Sequence, residues 1–123
     1  MSKLDKLLRE IQTELGPGFI ATSIAGMDGL IIANHSLSPN FDANKVAARM
    51  AMVMSLAAKS GGKMGMGEVD HNLITTDQAY IISRFIGDGS YYWIIAITRD
   101  SVLGMVYMIM EDFADRLWEA IPR

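Results

Sequence analysis

The chain contains no cysteine, so neither a disulfide framework nor a thiolate metal site can form. Histidine is nearly absent as well: His35 and His71 are its only two. No apolar run approaches the roughly 20 residues that a membrane-spanning helix needs; the longest uninterrupted one runs from Val102 to Met110. A basic excess is also missing. The net charge of −3 and pI near 5.2 argue against a general nucleic-acid binder and give no attraction to anionic membranes. The start, Met1-Ser2-Lys3-Leu4-Asp5-Lys6, is charged and helical in pattern, unlike a signal peptide. A cytoplasmic location without membrane insertion is the expectation.

What is present describes a globular chain. Its 123 residues suit one domain, expected over 1–123 without appended tails, and 50% hydrophobic against 20% charged residues supplies a full core. Ten methionines are many for this length. Gap-filling in the core is the commoner use of Met, adaptable binding surfaces the other.

The most informative stretch is Asp42 to Ser60. Asp42 suits an N-cap and Gly61-Gly62 a stop, which predicts a helix between them. At about 100° per residue, Val46, Ala47, Met50, Ala51, Val53, Met54, Ala57 and Ala58 fall on one broad arc that would cover a sheet. Lys45, Arg49 and Lys59 mark the opposite arc, yet Met52 and Leu56 sit in its middle. A helix apolar on two sides is usually buried on two sides.

Around it the chain reads in order. Leu4, Leu7, Leu8, Ile11 and Leu15 make residues 3–15 an amphipathic helix, ended by Gly16-Pro17-Gly18. Phe19 to Ala25 carries no charge on either face and predicts a central strand covered on both sides. Asp28-Gly29 then signals a hairpin turn into a strand from Leu30 to Asn34, followed by a polar loop from His35 to Phe41. Beyond the central helix, Glu68 to Thr75 sets Val69, His71 and Leu73 against Glu68, Asp70 and Asn72, the pattern of a half-exposed edge strand. Ala79 to Ile86 and Ser90 to Thr98, joined by Gly87-Asp88-Gly89, belong near the middle of the sheet. Asp100 or Ser101 should cap a closing helix to about Ala120. The first half of that helix is apolar almost all round and should wedge between the sheet and the first helix. Short connections imply antiparallel hairpins, and five strands with helices on both faces make a three-layer α/β/α sandwich.

Catalytic chemistry finds little support. His35 lies in the polar loop, and adjacent strand residues such as Asp70 and His71 point to opposite faces, so neither histidine forms a local acid–base pair. Gly61, Gly62, Gly65 and Gly67 follow a helix rather than a strand and lack a Gly-Lys-Ser/Thr ending, so they form a linker and not a phosphate loop. Glu111, Asp112, Asp115 and Glu119 on the last helix show no EF-hand spacing and read as a solvated face. No catalytic residue, metal site or cofactor is expected. What remains is surface. Two exposed apolar residues alone would be ordinary; Met52 and Leu56 lie beside a predicted open strand edge, and two such edges can pair isologously into a homodimer. The residues expected at that interface are Lys45, Arg49, Met52, Val53, Leu56, Lys59, Val69, His71 and Leu73.

Three stretches carry a family resemblance. The hairpin Gly26-Met27-Asp28-Gly29-Leu30-Ile31-Ile32-Ala33 resembles the Asp-Gly-Leu-Val-Ile-Ala signature of the roadblock family, the dynein light-chain group that includes Mgl-type bacterial regulators of polarity GTPases. Val46-Ala47-Ala48 is similar to its Ala-rich middle helix, and Val102-Leu103-Gly104-Met105-Val106 with Ala114-Asp115-Arg116-Leu117 to its closing helix. The resemblance implies a five-stranded antiparallel sheet in the order 2-1-5-4-3, with the first and third helices on one face and the second on the other. It implies a homodimer through the second helix and third strand. It also implies a small Ras-like GTPase as partner, regulated or tethered without an arginine finger, so neither Arg49 nor Arg84 is nominated as one. Two other roles stay open: a GTPase-independent adaptor for a motor or signalling complex, and a small-ligand-sensing domain.

Overall fold

The computed structural model describes residues 2–123. Ser2 caps the first helix, α1 (Lys3–Leu15), by accepting from the Asp5 amide at 3.1 Å. A 3-10 turn at Gly16–Gly18 leads into β1 (Phe19–Gly26), and β2 (Ile31–Ser36) returns beside it. Then come α2 (Ala43–Lys63), β3 (His71–Thr75), β4 (Ala79–Ile86), β5 (Tyr91–Thr98) and α3 (Leu103–Ala120). The five strands form one antiparallel sheet in the order β2-β1-β5-β4-β3.

Because strand side chains alternate between faces, the register divides the core in two. Ile24, Ala33, Ile82, Ile86, Trp93, Ile95 and Ile97 point toward α1 and α3, where Leu8, Ile11, Val106, Met110, Phe113 and Leu117 meet them. On the other face Ala25, Ile31, Ile74, Ile81, Phe85, Tyr92 and Ile94 lie under Ala47, Met50, Ala51 and Met54 of α2. This is the expected placement of the three helices. Ion pairs add ties on the first side, from Arg84 to Glu111 of α3 and from Arg116 to Glu10 of α1, each 2.8 Å. Both are substantially solvated and contribute little next to the burial.

Several boundaries differ from the sequence-based expectation. The central helix does not stop at Gly61-Gly62; it runs through them to Lys63 and ends at Gly65, whose φ of 68° is the left-handed conformation glycine tolerates. There the Gly65 amide donates to Gly62 and the Met66 amide to Gly61, the paired bonds of a Schellman stop. Inside the helix, Gly61 serves close packing rather than termination: a Cβ there would meet Val69 Cγ2 at 2.9 Å. β3 starts at His71 rather than Glu68. His35 belongs to β2 and not to a solvated loop: its Nε2 is hydrogen-bonded to Gln12 Oε1 of α1, and its ring stacks on Phe19 at 5.6 Å.

The last helix departs most. Its N-cap is Val102, without a side-chain cap, because Thr98 donates to the Asp100 carboxylate and lies 3.3 Å from Ser101 Oγ. Its first half is not wedged all round: Val106 and Met110 are buried, but Val102, Met105 and Met108 are 64%, 60% and 69% exposed. One helix presents about one stripe to its neighbours, and α1 and the sheet already share that stripe.

Candidate functional site

The surface singled out by sequence is the outer side of α2, and the residues beneath fix how it is held. Asp42 accepts from the Lys45 amide at 3.1 Å and starts the helix. Ala47 and Ala51 keep the inner side thin enough for close approach to the β1–β2 turn. Gly29 in that turn has φ 86°, and a Cβ on it would lie 3.3 Å from Ala48 Cα, so both conformation and space call for glycine. The neighbouring Asp28 carboxylate accepts from the Leu30 amide at 3.0 Å and closes the turn. Across the sheet, the buried Tyr92 hydroxyl donates to the Ala47 carbonyl. Burial, with the negative charge of Asp28 adding to it, pushes the Tyr92 pKa up to about 12, so it stays a donor at any physiological pH.

With the inner side so fixed, the outer arc is defined. Met52 and Leu56 stand 66% and 67% exposed at its centre. Lys45 and Arg49 lie toward the N-terminal end and Lys59 toward the C-terminal end, all exposed. Lys63 extends the same arc by a turn and was not among the residues expected there. The helix carries no acidic residue, and among the described residues none of these four cations is ion-paired. The arc is therefore an apolar centre between two basic ends.

The remaining expected residues do not all join it. Val53 is half-buried at the margin of the α2 core, and Val69 packs against Gly61 at the end of the helix. His71 and Leu73 belong to the opposite face. In the β3–β4 register they stand beside Arg84 and Ile82, which face α3, and the His71 ring tilts onto Tyr107 at 5.0 Å. It is Ile74, not Leu73, that turns toward α2. The surface thus splits into the outer arc of α2, on one face, and the outer edge of β3, whose backbone carries no neighbouring strand among the described residues.

A cleft of about 690 Å³ opens between the end of α2 and the β4–β5 turn rather than on this surface. Glu68, Asp70 and Asp88 line it, and its cation, Arg84, is tied to Glu111. Among the described residues no group of His, Asp and Glu is gathered to hold a metal ion, and no helix is long and apolar enough to cross a membrane.

The architecture is an antiparallel sheet with open edges and, over one face, a single covering helix that is apolar on both sides. The chain belongs to the Roadblock/LC7 domain family, whose model matches residues 4–96. Comparison with curated proteins gives no significant match. Among solved structures, Myxococcus xanthus MglB superposes with a TM-score of 0.87 at 13% identity, over 97% of this chain and 94% of that one. The gliding protein MglB of Thermus thermophilus gives 0.85 at 12% identity, over 96% and 87%. A Roadblock/LC7 domain from Streptomyces avermitilis gives 0.76 at 20% identity, over 92% and 96%. Identities this low speak for the shared fold alone.

Proposed function

We propose that the chain is a non-catalytic homodimer that regulates or tethers a small Ras-like GTPase. The observation that carries the self-association is the outer arc of α2, with Met52 and Leu56 at its centre beside the unpaired edge of β3. Two copies related by a two-fold axis would pair their β3 edges antiparallel and bring both α2 helices to the same side of a continuous sheet. His71 and Leu73 would then meet their mates on the α3 side, so the residues that the fold separates within one copy would still share one interface. The GTPase reading rests on family membership and on the likeness to MglB structures. The chain would act through binding, with no reactive group of its own.

The charges impose a condition on this dimer. Each copy brings Lys45, Arg49, Lys59 and Lys63 toward its mate, and like charges within about 10 Å repel unless salt screens them. Self-association should therefore strengthen as ionic strength rises. Light scattering on wild type and on Met52→Asp/Leu56→Asp tests the interface: a dimer that becomes a folded monomer supports it, and a wild-type monomer at every salt concentration sinks it. Pull-downs with GTP-loaded and GDP-loaded Ras-like GTPases from the same genome test the partner. Nucleotide-dependent capture is expected; its absence with every GTPase would leave the adaptor role as the better account.

A further inference from the structure

The solvent side of α3 carries a second unpartnered stripe of different chemistry. Val106, Met110, Phe113 and Leu117 are buried, which turns Met105, Met108, Asp112, Asp115 and Glu119 outward along one line. The stripe is sharply divided. Its N-terminal half, extended by Val102, consists of large apolar side chains that are 60% exposed or more. Its C-terminal half is acidic, and among the described residues Asp112, Asp115 and Glu119 have no ion-pair partner. Of the nearby cations, Arg84 is engaged by Glu111 and Arg116 by Glu10, while Lys3 and Lys6, which share a hollow with Glu119, form no ion pair with it among the described residues. Exposed methionines in a contiguous apolar patch mark adaptable contact surfaces rather than ordinary solvated helix.

We propose that this face of α3 docks an amphipathic helix of another protein, one that presents apolar side chains over one half and Lys or Arg over the other. The apolar half would lie against Val102, Met105 and Met108 and shed water from both sides. The basic half would lie along Asp112, Asp115 and Glu119 and fix direction and register through charge. An acidic partner is disfavoured by the same carboxylates, and an anionic membrane surface would be repelled by them. The site is separate from the α2 arc and does not depend on dimerisation.

The test uses a fluorescein-labelled synthetic helix of about 18 residues, the length that matches α3 at ~1.5 Å per residue, with leucines over its first half and lysines over its second. A second peptide carries glutamates in place of the lysines. Anisotropy titrations of the full chain should show binding of the lysine peptide only. Asp112→Lys/Asp115→Lys should weaken that binding about tenfold or more and create affinity for the glutamate peptide. Met105→Asp/Met108→Asp should abolish binding of the lysine peptide. All four positions are exposed, so circular dichroism should report folded protein in each case. Amide NMR shifts on adding the lysine peptide should cluster between residues 104 and 119. Equal binding of the two peptides, an unchanged preference in the charge-swapped variant, or shifts centred on α2 would each overturn the proposal. So would peptide-free protein that grows in mass with concentration and loses that growth in the α3 variants, since a second copy would then fill the face.

Discussion

The two faces of the sheet are packed by opposite means. Toward α1 and α3 the contact is made by bulky side chains in depth, with Trp93 fully buried at its centre among isoleucines and leucines. Even the polar groups there are satisfied: the Trp93 indole donates to Thr22 Oγ1 at 2.7 Å, and that hydroxyl donates to the Ile94 carbonyl at 2.9 Å. Toward α2 the sheet supplies the bulk, with Tyr92, Ile94, Ile81 and Phe85, while the helix itself approaches closely through Ala47 and Ala51, with Met50 and Met54 filling what remains. This second face also buries the Ser83 hydroxyl without a hydrogen-bond partner among the described residues. A thick core specifies itself by interlocking shape. The thinner α2 side depends on small side chains on the helix itself, and it leaves that lone covering helix with its outer side exposed. The outer surfaces continue the contrast, for α2 ends in cations and the outward stripe of α3 in carboxylates. A net charge of −3 conceals that sorting.

The comparison is tested most strongly by removing volume from the thick side. Trp93→Ala deletes the largest fully buried side chain and leaves Thr22 without its donor. The expected loss is about 3–5 kcal/mol, a large fraction of the ~5–15 kcal/mol that typically holds a domain together. Denaturant unfolding should show the midpoint drop. Retention of wild-type stability would mean that this face is not the main support of the fold.

Adding volume to the thin side gives the next effect. Ala51 is 7% exposed, and its methyl sits near the space a Cβ on Gly29 would need. Ala51→Leu must push α2 away from the β1–β2 turn or twist the side chain off its rotamer, a cost of about 1–3 kcal/mol. The same unfolding experiment measures it. If Ala51→Leu were neutral, α2 would be riding on the sheet with room to spare, and closeness would not be what holds it.

How much of this could be read from the sequence follows from which contacts are local. Element order and strand pairing were legible because alternation, turn residues and short loops act over a few positions; the strand order came only with the family resemblance. The stop of α2 was not, because Gly61 is required for close packing against Val69 rather than for ending the helix, a contact that closes only after the chain turns back. The start of α3 misled for a similar reason, since Asp100 and Ser101 are both drawn to Thr98 at the end of β5. Within the candidate site, Lys45, Arg49, Met52, Leu56 and Lys59 were recoverable from helical spacing alone. Which helix His71 and Leu73 face could not be read from the sequence, because Leu73 and Ile74 are both apolar. Period-2 alternation cannot say which of such a pair faces which helix; the register with β4 decides it. The apolar stripe of α3 escaped because a segment apolar all round reads as buried, and only the depth of the neighbouring layers shows that one side is left over.

The smallest expected effect concerns a titratable contact between β2 and α1, again on the thick side. His35 is held against Phe19 and Gln12, where burial chiefly, and the Arg9 charge in addition, lower its pKa below the ordinary 6.5. Unfolded, the imidazole regains the ordinary value and binds a proton more readily. The folded state therefore keeps its full advantage above about pH 6.5 and loses it as the pH falls toward the lowered folded value. Urea midpoints measured from about pH 7.5 down to about 5 should fall for wild type in that window. His35→Gln removes the titration, so its midpoint should change less over the same range while starting lower at neutral pH, because the stack on Phe19 is gone. Parallel curves for the two proteins would show that the pH response originates elsewhere. That outcome would remove this protonation switch from the thick face and leave the contact between β2 and α1, unlike the charged outer surfaces of α2 and α3, indifferent to charge.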